Sequence, residues 1–146
     1  MLMGEYHHTI DDKNRLVIPS KFRTLLGENF IVTRGLDKCL FVYSLAEWTK
    51  IVDKLKTLPF TQQNARNFNR FFLSGAANCE FDRSGRVCIP NPLTEYAKIT
   101  KDCVNIGVSD RLEIWAKEAW DEFLNNNEDQ LSDIAENLFA SGDFNA

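Results

Sequence analysis

The chain holds no apolar run near the ~20 residues that a membrane-spanning helix requires. Its N-terminus carries charge by Glu5 and lacks the uninterrupted apolar core of a secretory signal. Cys39, Cys79, Cys88 and Cys103 show no Cys-x-x-Cys spacing and no nearby histidine partners. That usage suits reduced structural thiols in a cytosolic protein better than a metal centre or a disulfide framework. The only histidines, His7 and His8, are adjacent and are expected to be exposed. No Ser/His/Asp or Cys/His constellation and no Gly-rich phosphate loop is evident. The sequence thus offers little for catalysis, and no cofactor or small-molecule substrate is expected.

What is present is a repeat. Residues 11–19 read DDKNRLVIP and residues 82–90 read DRSGRVCIP. The pattern Asp-x-x-x-Arg-apolar-x-Ile-Pro therefore recurs, and Leu40, Tyr43 and Trp48 are echoed by Leu112, Trp115 and Trp120. Internal repeats set architecture. With 146 residues in all, each copy is small for a self-sufficient core, so the two should share one. Eleven phenylalanines make an aromatic interior the expectation.

Charge is divided along the chain. The formal net charge is −4, yet residues 110–146 hold ten acids and two bases, and residues 1–109 hold eleven acids and fifteen bases. A mildly basic body with an acidic tail is compatible with nucleic-acid binding by the body, and equally with a solvated helix face.

The chemistry-bearing residues sit at two predicted hairpin tips. Tyr6–Ile10 and Arg15–Ile18 are rich in β-formers and flank the turn Asp11-Asp12-Lys13-Asn14. The second copy turns at Arg83-Ser84-Gly85. Pro19 suits the start of a short helix over 20–26 that Gly27 ends. A second hairpin joins Phe30–Thr33 to Leu40–Tyr43. Ser44 and Glu47 form a capping-box pattern before a helix that buries Trp48, Ile51, Val52 and Leu55. Thr61 is expected to open a further helix, with Phe68, Phe71 and Phe72 on one side and Gly75 at its end. A helix from Ala116 follows the second copy. The tail places Leu131, Ile134, Ala135, Leu138 and Phe139 on one stripe, between Asn127 as cap and Gly142 as stop. A stripe of that kind is expected to dock on the body or on a neighbouring subunit.

Asp11 with Arg15, and Asp82 with Arg86, can pair across each turn. One reading makes them structural clips in an oligomeric ring or adaptor whose partner is another protein. The other uses the doubled tips for recognition: Lys13 and Arg83 add charge, and Asn14 and Gly85 tolerate positive φ. Two such tips suit phosphate contacts and the bidentate reading of guanine edges by arginine. A carboxylate dyad is disfavoured, because each Asp carries its own Arg and would stay ionised.

The opening MGEYHHTIDDKNRLVIPSKFR, the second DRSGRVCIP and the chain length resemble the MraZ family, over residues 1 to ~124. The resemblance implies an α+β, β-dominated fold of two SpoVT-AbrB-like swapped-hairpin repeats, interleaved as one pseudo-dimeric barrel with flanking helices. It divides the chain into repeats at 5–48 and 76–120, a helical connection at 49–75 and an acidic helical tail at 121–146. It further implies a cytoplasmic, nucleoid-associated transcriptional regulator that assembles as a ring-like homo-oligomer. Such a protein binds double-stranded DNA at promoter direct repeats of the division and cell-wall gene cluster, its own gene included. The DNA-contacting motif maps to Asp11, Arg15, Asp82 and Arg86, with Lys13, Asn14, Arg83 and Gly85 at the tips and Lys21 and Arg23 toward phosphates. Two departures stand out. The family turn usually has Gly where this chain has Asn14, and the helix after Pro90 lacks bases matching Lys21 and Arg23.

Overall fold

The two halves exchange strands. The computed structural model describes residues 1–140. The first half contains β1 (Leu2–Thr9), β2 (Arg15–Val17), α1 (Ser20–Leu26), β3 (Asn29–Arg34), β4 (Leu40–Ser44), α2 (Leu45–Lys56) and α3 (Gln63–Ser74). The second repeats the plan with β5 (Ala77–Glu80), β6 (Arg86–Cys88), α4 (Asn91–Ala97), β7 (Asp102–Ser109), β8 (Arg111–Ala116) and α5 (Lys117–Asn127). A 3-10 turn (Glu128–Gln130) leads into α6 (Leu131–Ala140).

The main sheet has six strands in the order β1-β7-β8-β4-β3-β5. Each half lends its first strand to the other: β1 pairs with β7, and β5 pairs with β3, all antiparallel. The central β4–β8 ladder joins the halves. In a separate two-stranded ribbon, β2 pairs with β6. The swapped-hairpin expectation therefore holds, but the closed barrel does not. The sheet is open, with β1 and β5 as its edges. After β1 the bridge Ile10↔Leu16 links the chain to the ribbon, and the Arg15 N–H and C=O are both taken by Asp11 across the turn. Helices also hold more residues than strands, although the sheet and ribbon build the core.

One apolar cluster runs through both halves and takes Leu16, Ile18, Phe22, Phe30 and Leu40 from the first, with Val87, Ile89, Leu93, Leu112 and Ile114 from the second. Burying such side chains supplies ~1.5–3 kcal/mol each. A second cluster joins Phe41, Tyr43, Phe72 and Trp115. Trp48 stacks on Phe72 at 5.5 Å, and Phe68 on Phe72 at 5.4 Å. Phe71 leaves that group and meets Tyr96 edge-on at 5.6 Å, with Arg34 over its ring. The helix bearing them starts at Gln63, two residues later than expected from Thr61.

The α1 bounds match those predicted, and Gly27 closes the helix at φ 84°. Half of the capping box forms: the Glu47 N–H donates to Ser44 Oγ at 3.2 Å, while the Glu47 carboxylate accepts from Lys50. Asn127 does not cap α6. It ends α5, where its side-chain amide donates to the Phe123 carbonyl at 2.8 Å. The backbone is right-handed helical at Asn127, Glu128 and Leu131, so no extended cap residue turns the chain back. On the α6 stripe Leu131 is 63% and Ile134 38% exposed, and among the described residues α6 adds none to either core cluster. The stop expected at Gly142 lies outside the described residues.

Candidate nucleic-acid interface

Both turns are built the same way. Asp11 Oδ1 accepts the backbone N–H groups of Lys13 (3.0 Å) and Arg15 (2.8 Å), while Oδ2 accepts Arg15 Nε at 2.6 Å. Asp82 repeats this with Ser84 (2.9 Å), Arg86 (2.9 Å) and Arg86 Nε (2.9 Å). Asn14 and Gly85 take the left-handed φ values that the turns demand, 59° and 75°. The backbone N–H of the following arginine, reinforced by its guanidinium, holds each carboxyl below the usual carboxylate range. Both aspartates therefore stay ionised at neutral pH. They also stand at opposite ends of an antiparallel ribbon, so they do not form a carboxylate dyad.

The ribbon places the arginines. Its register sets Arg15 opposite Cys88, Leu16 opposite Val87 and Val17 opposite Arg86. Beyond the paired strands, the Ile89 N–H donates to the Asn14 carbonyl at 2.8 Å and the Ile18 N–H to Gly85 at 3.4 Å. Side chains alternate across a strand. Leu16 and Val87 point into the core, at 0% and 1% exposure. Arg15, Val17, Arg86 and Cys88 thus share the outer face. The two arginines are diagonal neighbours, with Cα atoms about 7–8 Å apart. The two left-handed tips lie about 13 Å apart along the ribbon, from the rise per residue of an antiparallel strand.

Each arginine donates its Nε to Oδ2 of its aspartate. The arginine Nε and its own backbone N–H thus fall on the two oxygens of one carboxylate, which holds each guanidinium beside its turn.

The flanking residues differ between the ends. The Asn14 side chain donates to Asn91 Oδ1 at 2.8 Å. At the other tip, Arg23 Nη1 donates to the Ile18 carbonyl at 2.8 Å, and its guanidinium lies where a Gly85 side chain would project. Lys21 sits over Tyr6, 4.8 Å from the ring centroid. Lys13 and Arg83 are exposed at the tips. Nine residues singled out by sequence thus lie on or beside one ribbon, with Arg23 already engaged in holding it, while Lys21 lies against β1 of the main sheet. Sequence reasoning missed Val17, Cys88, Asn91 and Asn105. Period-two alternation from Arg15 and Arg86 would have found the first two. Asn91 bonds to a residue 77 positions away, and nothing local signals that. Asn105 is buried in β7 and donates to the Val17 carbonyl at 3.3 Å, tying the ribbon to the sheet.

The protein-family model described as "MraZ protein, putative antitoxin-like" matches twice, over residues 1–71 and 72–141. The chain belongs to the MraZ family. A protein named Transcriptional regulator MraZ from Thermoanaerobacter sp. (strain X514) is 59% identical over 138 residues, covering 94% of this chain and 96% of the relative. Proteins of the same name from Thermoanaerobacter pseudethanolicus and Caldanaerobacter subterraneus subsp. tengcongensis are 59% and 58% identical, with the same coverage. Among the described residues no helix is long and apolar enough to cross a membrane.

Proposed function

We propose that this MraZ-family chain is a sequence-specific, DNA-binding transcriptional regulator whose reading element is the β2–β6 ribbon. The observation that carries the proposal is the outward pair Arg15 and Arg86 on a ribbon whose other face is buried. A two-stranded ribbon fits the major groove, where arginine pairs with guanine O6 and N7. Two base-pair steps advance about 7 Å at 3.4 Å each, close to the diagonal spacing of the arginines.

Asp11 and Asp82 orient the arginines, and Lys13, Arg83, Lys21 and Arg23 face phosphates. The sites are direct repeats in the promoter of the division and cell-wall gene cluster that includes its own gene, and the protein works in the cytoplasm, on the nucleoid. Copies assemble as a ring-like homo-oligomer, with the α6 stripe as a contact to the neighbouring subunit. An array of ribbons raises effective concentration on repeated elements.

The test is binding of the pure protein to its own gene's upstream DNA against a scrambled duplex, across a salt series. Each phosphate neutralised adds about 0.9 to the log–log slope. The expected result is salt-sensitive preference for the upstream DNA, lost in a folded Arg15→Ala/Arg86→Ala variant. Equal binding of both duplexes by wild type would overturn the proposal.

A further inference from the structure

We propose that Val17 and Cys88 determine sequence specificity beside the two arginines, by contacting thymine methyl groups in the major groove. The proposal rests on the DNA-reading role of the ribbon.

The register carries it. Arg15 directly opposes Cys88, and Arg86 directly opposes Val17. Directly opposed residues share a face, with Cβ atoms about 4.5–5.5 Å apart. Each arginine therefore has one short, weakly polar side chain as its immediate neighbour across the strands. The two pairs are related by the pseudo-twofold that passes between Leu16 and Val87. Any surface that meets both guanidinium groups meets Val17 and Cys88 as well.

Both side chains are available for that contact. Val17 is 38% exposed, an apolar group outside the core whose two ribbon neighbours, Leu16 and Ile18, are almost wholly buried. Cys88 is exposed, and its thiol donates to the Lys13 carbonyl at 3.4 Å. That satisfies its weak donor within the chain, and the side chain then acts as a small hydrophobe. The position of the ribbon edge is held by Asn105, whose amide donates to the Val17 carbonyl. Val17 is thus presented from a fixed backbone.

The base edge supplies one matching group. Among the four bases, only thymine places a methyl group in the major groove. With an arginine on a guanine, its cross-strand neighbour falls on an adjoining base pair, because base pairs advance 3.4 Å along a strand. The recognised element is therefore a guanine beside a thymine, met twice, once by Arg15 with Cys88 and once by Arg86 with Val17.

The experiment starts from duplexes that the protein enriches from a random-sequence pool. Each thymine is then replaced singly by deoxyuridine, which removes only the methyl group, and affinity is measured by fluorescence anisotropy at one salt concentration. Wild type should lose about fourfold for each contacted methyl, the equivalent of one buried carbon. Val17→Ala should become indifferent to deoxyuridine at one position and Cys88→Ala at the pseudo-symmetric one. Val17→Thr keeps the β-branch and one methyl, so it separates this role from ribbon stability and should retain part of the penalty. Wild-type affinity unchanged by every deoxyuridine would overturn the proposal. So would a penalty that persists in full in both alanine variants. Failure of the underlying reading looks different: no sequence would be enriched, and Arg15→Ala/Arg86→Ala would bind DNA as wild type does.

Discussion

Asn14 and Asn91 meet amide to carbonyl at 2.8 Å, across the seam between the two halves. The matching position at the other tip is Gly85, which faces Arg23 instead. The pseudo-symmetry of the ribbon is thus kept in its backbone and broken in the side chains that hold its ends. Asn14 combines a left-handed φ of 59° with a partner in the other repeat, which explains how the turn accommodates a residue other than glycine.

Asn14→Gly gains conformational ease and loses one exposed hydrogen bond, so its stability should stay within about 1 kcal/mol of wild type. Asn14→Ala loses the bond and the local side-chain hydrogen bonding that lets asparagine tolerate the left-handed region, at a cost of about 1–2 kcal/mol. Thermal or urea melts check both.

Gly85→Ala should destabilise by about 2 kcal/mol or more, from left-handed strain and loss of the Arg23 bond. The added methyl collides with the Arg23 guanidinium and displaces it from the Ile18 carbonyl. In an Arg23→Ala background, where that bond is already gone, the same glycine substitution should add only the backbone strain, about 1–2 kcal/mol. A double-mutant cycle by urea denaturation reads the coupling, and strict additivity would refute it.

Arg15→Lys and Arg86→Lys keep charge but lose the planar fork. Affinity for the preferred duplex should fall roughly tenfold to a hundredfold per site, from ~1–3 kcal/mol per bidentate base contact. Affinity for scrambled DNA should barely move, and the melting temperature should change little. A loss of equal size on both duplexes would mark these arginines as phosphate contacts.

Asp11 and Asp82 have depressed pKa values. Their contribution to stability is fully present above the unfolded carboxylate pKa and is lost as pH falls through the lower folded values. The tips should therefore remain ordered until pH drops below about 4, the ordinary range for aspartate. In Asp11→Asn/Asp82→Asn that acid-dependent loss should be diminished, because neither group titrates. Acid titration followed by NMR of the Arg15 and Arg86 Nε–H resonances checks the sign.

Truncation after Asn126 removes the exposed stripe that begins at Leu131. If that stripe joins neighbouring subunits, the mass by light scattering should fall. An unchanged mass removes α6 from the assembly.

Much of the architecture was legible from local pattern alone. The doubled Asp-x-x-x-Arg marked both turns, because an aspartate that accepts backbone N–H groups two and four residues on leaves a short-range signature. Pro19 and Gly27 bounded α1 for equally local reasons. Alternation and helical spacing located most strands and helices within a few residues. Pairing was another matter. That β2 leaves β1 for β6, that β1 crosses to β7, and that the sheet stays open depend on hydrogen bonds between residues about 70 to 100 positions apart, which no local pattern encodes. The same holds for the outward square of Arg15, Val17, Arg86 and Cys88 and for the Asn14–Asn91 contact. The sequence by itself determined the turns, the periodicities and the twofold plan, since each arises from neighbours along the chain. Only tertiary structure decided which strand edges meet, since the burial of Leu16 against Val87 selects one register from many that local chemistry permits.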